Sequence, residues 1–307
     1  FSQKYDSPYF FSAQVFANDN FRMQFIELEK IYRQQDDRFV GILNQVRNNS
    51  ITSEEVEELN RLCCRPDFQD RQEDLYVYLT PTNQAAERIN DAKLSFLPGR
   101  ELVYHGEITG DFAAEHLPTA QILRLKPEAQ IMMLNNDANR RWVNGSIGRI
   151  VDVDHDRQTG EDILRIELAR GRVERVAPFT WNIYKYAYNP DTGSVESRSI
   201  GTFRQYPLKL AWAVTIHKSQ GKTFDKVVLD IGRGTFAHGQ MYVALSRCTS
   251  LDGLVLKKPL AKKHIWMDWR VVKFVTEYQY GISDRELPLE KKVELIEQGI
   301  EDEAEVK

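Results

Sequence analysis

The feature that most constrains the fold of this chain is a set of short, mainly apolar segments that lie far apart in the sequence. The clearest is 75–79 (LYVYL), which ends in the polar loop 80–83 (TPTN) and is followed by a helical stretch through Ala85 and Ile89. Comparable apolar runs occur at 208–216, 226–231 and 253–256. A short apolar run, a polar loop and a helix in that order indicate an α/β fold.

Amphipathic helices are predicted on both sides of this unit. Asp36 can cap a helix whose apolar residues within 39–46 follow i, i+3, i+4, i+7 spacing. Thr52 and Glu55 form a capping-box pattern ahead of a second apolar face. Farther along the chain, 236–247 carries apolar residues on one helical face. We therefore expect helices before and after the first strand–loop–helix unit.

The segment 147–205 has a different pattern, in which apolar and polar residues alternate. Leu164, Ile166 and Leu168 alternate with charged residues, and three tyrosines alternate in the same way, at Tyr184, Tyr186 and Tyr188. Turn-forming residues occur between these runs. The pattern predicts a small all-β module of about five strands. We interpret the tyrosine row as a barrel face, with a base-stacking platform as the alternative.

Composition sets limits on what the chain can do. Its 307 residues suffice for about two domains, and a hydrophobic fraction of 42% can build a sizeable core. A net charge of −4 argues against a uniformly basic nucleic-acid surface but leaves room for a local groove. The three cysteines form neither a disulfide framework nor a metal-ligand pattern, which favours a reducing compartment. No apolar run approaches the ~20 residues of a membrane span. The first residues do not fit a signal peptide, and we expect the chain to be a piece of a longer protein.

One short segment resembles part of a phosphate-binding loop. Residues 221–223 (GKT) look like the end of a Walker A motif, but Ile216 stands where that motif needs its first glycine. Similarly, 227–230 (VVLD) looks like a Walker B strand, but Ile231 follows where a glutamate is wanted. We therefore expect no phosphate-wrapping loop in this chain.

Long strings of unusual residues nevertheless point to a family. The segments 206–232 (YPLKLAWAVTIHKSQGKTFDKVVLDIG) and 239–256 (GQMYVALSRCTSLDGLVL) resemble motifs V and VI of superfamily 1B helicases of the Pif and RecD type. Upstream, 28–47 resembles motif IV of that family, and 75–90 and 130–153 resemble its following segments. The resemblance covers about residues 1–260. The family's P-loop and Asp-Glu motif would precede the first residue of this chain.

The resemblance implies a domain organisation. A RecA-like second helicase domain, which is a P-loop NTPase fold without its own P-loop, would occupy 23–151 and 206–274. An SH3-like all-β insertion would occupy 152–205, and residues 1–22 would connect to the first RecA-like domain. The polar tail, 275–307, carries Pro288 and Gly299 at the two ends of one expected helix.

The resemblance also implies two arginine fingers. Arg247, at the end of MYVALSR, matches the motif VI arginine, and Arg33, in IYRQ, matches the motif IV arginine. A guanidinium from a facing domain stabilises the negative charge that develops on a transferred phosphoryl group. Further nucleotide contacts or relays implied by the resemblance are Gln220, Gly221 and Thr223.

The nucleic-acid contacts that the resemblance implies follow the ends of two predicted strands and one turn. They are Thr80, Thr82, Asn83, Asn144, Thr215, His217, Lys218 and Ser219. Hydroxyl, amide and backbone donors suit sugar–phosphate oxygens, and open α/β sheets bind ligands at the carboxyl ends of strands. Helix capping is an alternative role for Thr82, and turn formation for Asn144. We expect His217 to hydrogen-bond a phosphate, because no carboxylate lies beside it in the sequence.

The function implied is that of the C-terminal part of an ATP-dependent DNA helicase that moves 5′ to 3′. ATP and Mg²⁺ would bind mainly through the other half of the protein, and no metal ligands are expected in this chain. The expected partners are single-stranded DNA and the first RecA-like domain, in the cytoplasm or at the nucleoid, with no membrane association. Two alternatives remain: a nucleic-acid- or partner-binding module without ATPase activity, and one subunit of a split helicase.

Overall fold

A computed structural model describes residues 4–18, 21, 23, 26, 31–34, 36–169, 171–190, 193–232 and 237–281, the last four of these through their backbone only. The chain divides into two compact units. One consists of Phe1–Tyr32 with Trp266–Lys307, and the other is Arg33–Ile265. The expected helix between Pro288 and Gly299 lies outside the described residues. Within the described part, no helix combines the length and apolar character that a bilayer span requires.

The described helices and strands are named in chain order. The helices are α1 (Asp37–Arg47), α2 (Ser53–Cys63), α3 (Asn83–Phe96), α4 (Gln240–Leu245) and α5 (Trp269–Gly281). The strands are β1 (Val77–Thr80), β2 (Leu102–His105), β3 (Glu107–Gly110), β4 (Ile122–Leu125), β5 (Gln130–Met133), β6 (Ile147–His155), β7 (Asp162–Leu168), β8 (Val173–Val176), β9 (Phe179–Asn189), β10 (Ser194–Gln205), β11 (Leu208–Leu210), β12 (Ala213–Thr215), β13 (Val227–Leu229) and β14 (Leu254–Leu256).

The predicted capping signals form as expected. The Asp36 carboxylate accepts hydrogen bonds from the backbone N–H groups of Arg38 and Phe39 at the start of α1. At the start of α2, Thr52 accepts from the Glu55 N–H while the Glu55 carboxylate accepts from the Thr52 N–H. Each cap satisfies donors that have no partner inside the helix. Both predicted helix starts are confirmed.

A four-stranded parallel sheet, in the order β12–β1–β13–β14, forms the centre of the larger unit. Its strands are almost entirely buried, which explains why their sequences are continuous apolar runs. One hydrophobic cluster joins this sheet to α1, α2 and α4. The α/β fold is confirmed, and α3 follows β1 as the strand–loop–helix unit predicted.

Antiparallel sheets make up the remaining strands. A five-stranded sheet has the order β11–β5–β6–β7–β8 and lies over a second hydrophobic cluster. A three-stranded sheet has the order β3–β10–β9, and β2 pairs with β4. Five described strands, β6 to β10, lie within 147–205, and β6 runs across the predicted boundary at residue 152. The position and SH3-like character of the insertion stay predictions.

The apolar run 208–216 is two strands rather than the single strand predicted. β11 pairs antiparallel with β5, whereas β12 pairs parallel with β1, so the chain changes sheet at Ala211 and Trp212. Gln130, which is buried, holds this junction: its Nε2 donates to the carbonyl of Tyr76 at 2.9 Å and to that of Ala211 at 3.0 Å. Apolar periodicity cannot reveal such a break because both strands are buried.

The predicted barrel face of tyrosines is wrong. Tyr184, Tyr186 and Tyr188 are 51%, 69% and 66% exposed, although they do alternate along β9. They lie on the outer part of the long β9–β10 ribbon, whereas β3 pairs with β10 only at Gly201–Arg204. The predicted alternation is present, but no third strand covers this part of the ribbon among the described residues.

The smaller unit contains a group of aromatic rings and an ion pair between Arg270 and Asp268. Phe11 stacks on Phe274 of α5 with ring centroids 4.5 Å apart. The Tyr9 hydroxyl donates to Asp268 Oδ2 at 2.6 Å, and Arg270 donates to the same carboxylate at 2.6 Å. The Arg270 guanidinium and the Tyr9 hydroxyl hold the pKa of Asp268 well below its usual range.

Candidate functional site

The carboxyl ends of β1 and β12 bring together two loops whose residues are predicted to contact nucleic acid. Thr80 and Thr215 are register partners in the parallel pair, and the Ile216 N–H donates to the Thr80 carbonyl at 2.9 Å. Their segments lie far apart in the sequence but share one edge of the sheet. The grouping of the Thr80 and Thr215 loops therefore has a structural basis in strand pairing.

Three predicted contact residues at this edge use their hydroxyls inside the fold. The buried Thr80 hydroxyl donates to the carbonyl of Thr82 at 3.1 Å. The buried Thr215 oxygen accepts from the Lys218 N–H at 3.2 Å, and the buried Ser219 hydroxyl donates to the Ile216 carbonyl at 2.6 Å. These hydroxyls fix the shapes of the two loops. Their direct contact with nucleic acid stays a prediction.

The remaining predicted residues at this edge are exposed. Thr82 accepts from the Ala85 N–H at 3.2 Å and so caps α3, in the alternative role foreseen for it. Asn83 is the first residue of that helix, while His217 and Lys218 occupy the 3-10 turn after β12. The edge thus presents one amide, one imidazole and one ammonium to solvent.

Asn144 lies beside Lys222, which belongs to the GKT string that resembles the end of a Walker A motif. The Lys222 Nζ donates to Asn144 Oδ1 at 2.7 Å, and the Asn144 N–H donates to Asn136 Oδ1 at 2.9 Å. The next residue, Gly145, has a φ of +101°, and a Cβ built there would lie 3.3 Å from the Lys222 side chain. Turn formation and proximity to Lys222 therefore both apply to Asn144.

The two predicted arginine fingers meet near the end of α4. Arg247 is buried, and its Nε, Nη1 and Nη2 donate to the Val243 carbonyl at 2.8 Å, the Lys222 carbonyl at 3.1 Å and the Ser246 hydroxyl at 2.7 Å. Burial and, after it, the positive charge of Arg33 lower the pKa of Arg247 to about 10. That electrostatic effect requires the two guanidinium groups to be neighbours.

Arg33 reaches the same place from the start of the unit. Its Nε donates to Thr223 Oγ1 at 2.8 Å and its Nη1 to the Ser246 carbonyl at 3.1 Å. Thr223, a predicted nucleotide contact, therefore belongs to the arginine pair. The other two predicted nucleotide contacts, Gln220 and Gly221, are exposed, and Gly221 has a φ of +80° that favours glycine. Their contact with a nucleotide stays a prediction.

Gln34 is a residue of this site that the sequence did not predict. Its side chain is buried, and its Nε2 donates to the Ser246 carbonyl at 3.0 Å and to the Cys248 carbonyl at 2.7 Å. These two carbonyls flank Arg247 in the chain. A signal existed, because Gln34 directly follows Arg33 in IYRQ, but a lone glutamine does not indicate burial.

The arginine pair has the chemistry to receive an anion. Within the described residues, no carboxylate forms an ion pair with Arg33 or Arg247. Two neighbouring positive groups without a counter-ion suit the oxygens of a phosphoryl group. A nucleotide phosphate therefore fits this place, whereas the arginines offer no ligand for Mg²⁺.

Lys209 is a second residue that the sequence did not predict. It lies in β11 between Leu208 and Leu210, which contribute to the cluster beneath the five-stranded sheet. Because side chains alternate along a strand, Lys209 lies on the opposite face. Burial and, after it, the charges of Lys218 and Lys222 lower the pKa of Lys209 to about 8. A single charged residue between apolar neighbours was the only sequence signal for it.

Comparison with known proteins gives DNA helicases among the relatives of this chain. No family model matches the chain. It is 34% identical over 241 residues to the ATP-dependent DNA helicase Pif1 of Bdellovibrio bacteriovorus, a match that covers 76% of this chain and 50% of that protein. The chain thus spans about half the length of this curated relative.

Solved structures give the same result. The structure of unliganded Pif1 from Bacteroides sp. matches with a TM-score of 0.79 and 32% identity, over 91% of this chain and 62% of that one. Bacteroides Pif1 bound to ssDNA matches with a TM-score of 0.62 and 31% identity, over 92% of this chain and 62% of that one. In both cases the likeness includes nearly all of this chain and only part of its relative.

Proposed function

Because the chain is homologous to the Pif1 DNA helicases, we propose that it is the C-terminal, second RecA-like and accessory part of an ATP-dependent DNA helicase that moves 5′ to 3′. In this proposal the chain supplies two arginine fingers and half of a track for single-stranded DNA. The phosphate-wrapping loop and most Mg²⁺ contacts belong to residues outside this chain. An SH3-like insertion accompanies the RecA-like domain.

The observation that carries the proposal is the meeting of Arg33 and Arg247. They are far apart in the sequence, yet Arg33 donates to the Ser246 carbonyl and Arg247 to the Ser246 hydroxyl. The resemblance to motifs IV and VI assigns both residues to one task, and their proximity agrees with that assignment. Two neighbouring guanidinium groups without a counter-ion in the described residues can stabilise the charge that develops on a transferred phosphoryl group.

ATP supplies the phosphoryl group whose transfer to water drives movement. The part of this chain is electrostatic: Arg247 and Arg33 neutralise charge on the terminal phosphate oxygens, and Gln34 holds the backbone on both sides of Arg247. Thr223 fixes the direction of the Arg33 guanidinium through the bond from its Nε. No proton transfer is asked of these residues, since an arginine stays charged near neutral pH.

The proposed DNA track lies at the carboxyl edge of β1 and β12. Asn83, His217 and Lys218 are exposed there and can donate to phosphate oxygens, and backbone groups of the two loops can add to them. Thr80, Thr215 and Ser219 contribute by shaping the loops. A relative bound to ssDNA supports this part of the proposal.

Arg247→Ala in the full-length protein tests the proposal. We expect the DNA-stimulated rate of ATP hydrolysis to fall roughly 10³- to 10⁵-fold, the range for arginine fingers in other phosphoryl-transfer enzymes, with little change in affinity for single-stranded DNA. Steady-state ATPase and fluorescence anisotropy are the measurements. Arg61→Ala is the matched control, because that side chain is 77% exposed and lies on α2. A variant with near-normal turnover contradicts the proposal, and so does one that loses DNA binding.

A further inference from the structure

The outer part of the β9–β10 ribbon, residues 184–189 paired with 194–199, is called the tyrosine ribbon. β3 pairs with β10 only at Gly201–Arg204, so among the described residues no third strand reaches this part. Every side chain at 184–188 and at 194–199 is exposed. Both faces of the tyrosine ribbon are therefore open to a ligand.

One face of the tyrosine ribbon carries a row of aromatic rings. Tyr184, Tyr186 and Tyr188 alternate along β9, are more than half exposed, and lie opposite two serines and a valine of β10. No described residue stacks on these rings or hydrogen-bonds their hydroxyls. The base of the ribbon differs, because there Trp181 stacks on Phe203. Aromatic side chains at the base thus pack within the fold, whereas the three farther out present their rings to solvent.

The opposite face of the tyrosine ribbon is positively charged. Lys185 and Arg198 are register partners directly across the two strands, and both are exposed. Like charges in that position destabilise a strand pair. Within the described part of the chain neither forms an ion pair, and Glu196 on the same face instead accepts a hydrogen bond from Asn189 at 2.7 Å. An anionic ligand would relieve this repulsion.

We propose that the tyrosine ribbon binds the unpaired bases of a nucleic-acid strand by stacking them on its tyrosine rings. Every base has a π-face, so stacking on aromatic side chains tolerates any sequence, and basic side chains nearby attract the phosphates. Two residues along β9 span about 6.8 Å, twice the ~3.4 Å rise per nucleotide of one strand in B-form DNA. The row can therefore take every second base of a stacked strand, or successive bases of a stretched one.

This inference rests on the proposed function for its ligand, a single strand of DNA, and adds a contact of different chemistry. The loops at the carboxyl edge of β1 and β12 are proposed to hold sugar–phosphate oxygens. The tyrosine ribbon instead holds the faces of the bases. The two contacts therefore respond differently when the bases of the strand are removed.

A nucleic-acid strand suits the tyrosine ribbon better than another β-strand does. β9 is the last strand of its sheet, and its outer edge has no paired strand among the described residues. Lys185 lies in the middle of that edge strand, and a lysine there disfavours pairing with a second chain. Two copies of this chain would also bring two unneutralised charge pairs together. The same charges favour a polyanion.

The test is fluorescence anisotropy of a labelled oligo-dT with the 307-residue chain. We expect Tyr186→Ala to weaken binding about five- to tenfold, the lower end of the range for loss of one base–aromatic stack. Tyr186→Phe should change it by less than about twofold, because the ring that stacks is kept. Phe96→Ala is the matched control, since that ring is 86% exposed but lies on α3. In thermal unfolding, Tyr186→Ala should match the wild type, because the ring it removes is exposed.

An abasic strand of the same length separates the bases from the phosphates. We expect the wild-type chain to bind it at least as weakly as Tyr186→Ala binds oligo-dT, and Tyr186→Ala to cause no further loss. Lys185→Met combined with Arg198→Met should reduce the salt slope on both strands by about 0.7, the value for one phosphate on a single strand. Tyr186→Ala should leave that slope unchanged, because it removes no charge.

Three results would overturn the inference. One is an affinity of Tyr186→Ala for oligo-dT that equals that of Phe96→Ala. Another is a loss for Tyr186→Phe as large as that for Tyr186→Ala, since the hydroxyl and not the ring would then make the contact. The third is self-association in analytical ultracentrifugation that Tyr186→Ala abolishes while DNA affinity stays unchanged. The ribbon would then be a contact between copies of this chain.

Failure of this inference and failure of the proposed function are distinguishable. If His217→Ala weakens binding of oligo-dT and Tyr186→Ala does not, the track at the sheet edge stands and the ribbon site is wrong. If the reverse holds, the ribbon site stands and the track at the sheet edge is wrong. A chain that binds no oligo-dT at any salt concentration rejects the ribbon site, while ATP hydrolysis by the full-length Arg247→Ala variant still decides the proposed function.

Discussion

At the scale of single residues, internal hydrogen bonds fix the orientation of Arg247. Each of its three guanidinium nitrogens donates one hydrogen bond within the chain, to Val243, Lys222 and Ser246. A guanidinium has five N–H donors, so one proton remains on Nη1 and one on Nη2. Those two protons are the donors that Arg247 could offer to an anion. The internal bonds therefore orient the side chain and leave two of its five N–H donors for the proposed contact with phosphate.

Gln34 should be needed to keep that orientation. Gln34→Met preserves the shape of the side chain but leaves the Ser246 and Cys248 carbonyls without their donor. We expect a loss of about 1–3 kcal/mol in the free energy of unfolding, the usual cost of an unsatisfied buried group, measured by urea denaturation. Gln84→Met, on the exposed face of α3, should change it by less than about 0.5 kcal/mol. Equal effects of the two substitutions would contradict a role for Gln34 in this site.

At the scale of elements, what could be predicted from the sequence was local. The side chains of Asp36 and Thr52 accept hydrogen bonds from N–H groups two or three residues farther along the chain. The sequence pattern alone therefore predicts these caps. The change of sheet inside 208–216 and the burial of Gln34 depend on residues more than 50 positions away. The tyrosine row is exposed because no third strand covers it among the described residues. The sequence cannot show this, because apolar and polar residues alternate in the same way along a covered ribbon and an uncovered one.

The β9–β10 ribbon should be stable at its base and indifferent to substitution at its outer part. Trp181 stacks on Phe203 with centroids 5.7 Å apart, where β3 also pairs with β10. We expect Trp181→Ala to reduce the free energy of unfolding by about 2 kcal/mol, below the cost for a fully buried ring. Tyr186→Ala should change it by less than about 0.5 kcal/mol, because that ring is 69% exposed. Chemical denaturation compares the two, and a larger cost at Tyr186 would mean that the ribbon is covered in solution.

At the scale of the whole molecule, the chain corresponds to part of each relative it matches. It spans 50% of the Bdellovibrio protein and 62% of the Bacteroides chain. In the proposed function, the arginine pair and the sheet edge are both surfaces that a facing domain completes. The alternatives of a binding module without ATPase activity and of a split-helicase subunit predict the same surfaces, so activity must decide between them.

We expect the 307-residue chain alone not to hydrolyse ATP, because arginine fingers stabilise a transferring phosphoryl group but do not wrap a nucleotide. A steady-state assay with single-stranded DNA is the measurement. Turnover that persists in Lys222→Met after rigorous purification would contradict this expectation. Addition of the first RecA-like domain that the proposed function calls for should give turnover. A chain that binds DNA but never gains turnover would favour the module without ATPase activity.

The same chain should bind single-stranded DNA weakly and with a modest salt slope. With a net charge of −4, we expect only a few of the 41 Lys and Arg side chains to lie at phosphates, and half of the track is expected elsewhere. About two or three phosphate contacts, at ~0.7 each, give a slope near −1.4 to −2.1. Oligo-dT anisotropy across salt concentrations measures it. Tight binding that is unaffected by His217→Ala with Thr82→Ala would locate the DNA elsewhere, with the tyrosine ribbon as the first candidate.

Lys222 has one consequence for how the two proposed sites communicate. Its carbonyl accepts from Arg247, and its ammonium group donates to Asn144. Lys222 thus connects Arg247 directly to Asn144, with no helix or domain between them. If a phosphoryl group that engages Arg247 alters the affinity for a DNA strand by some factor, DNA must alter the affinity for that group by the same factor. Cross-talk of this kind can be measured as a single coupling free energy, and it should vanish when Lys222 loses its ammonium group.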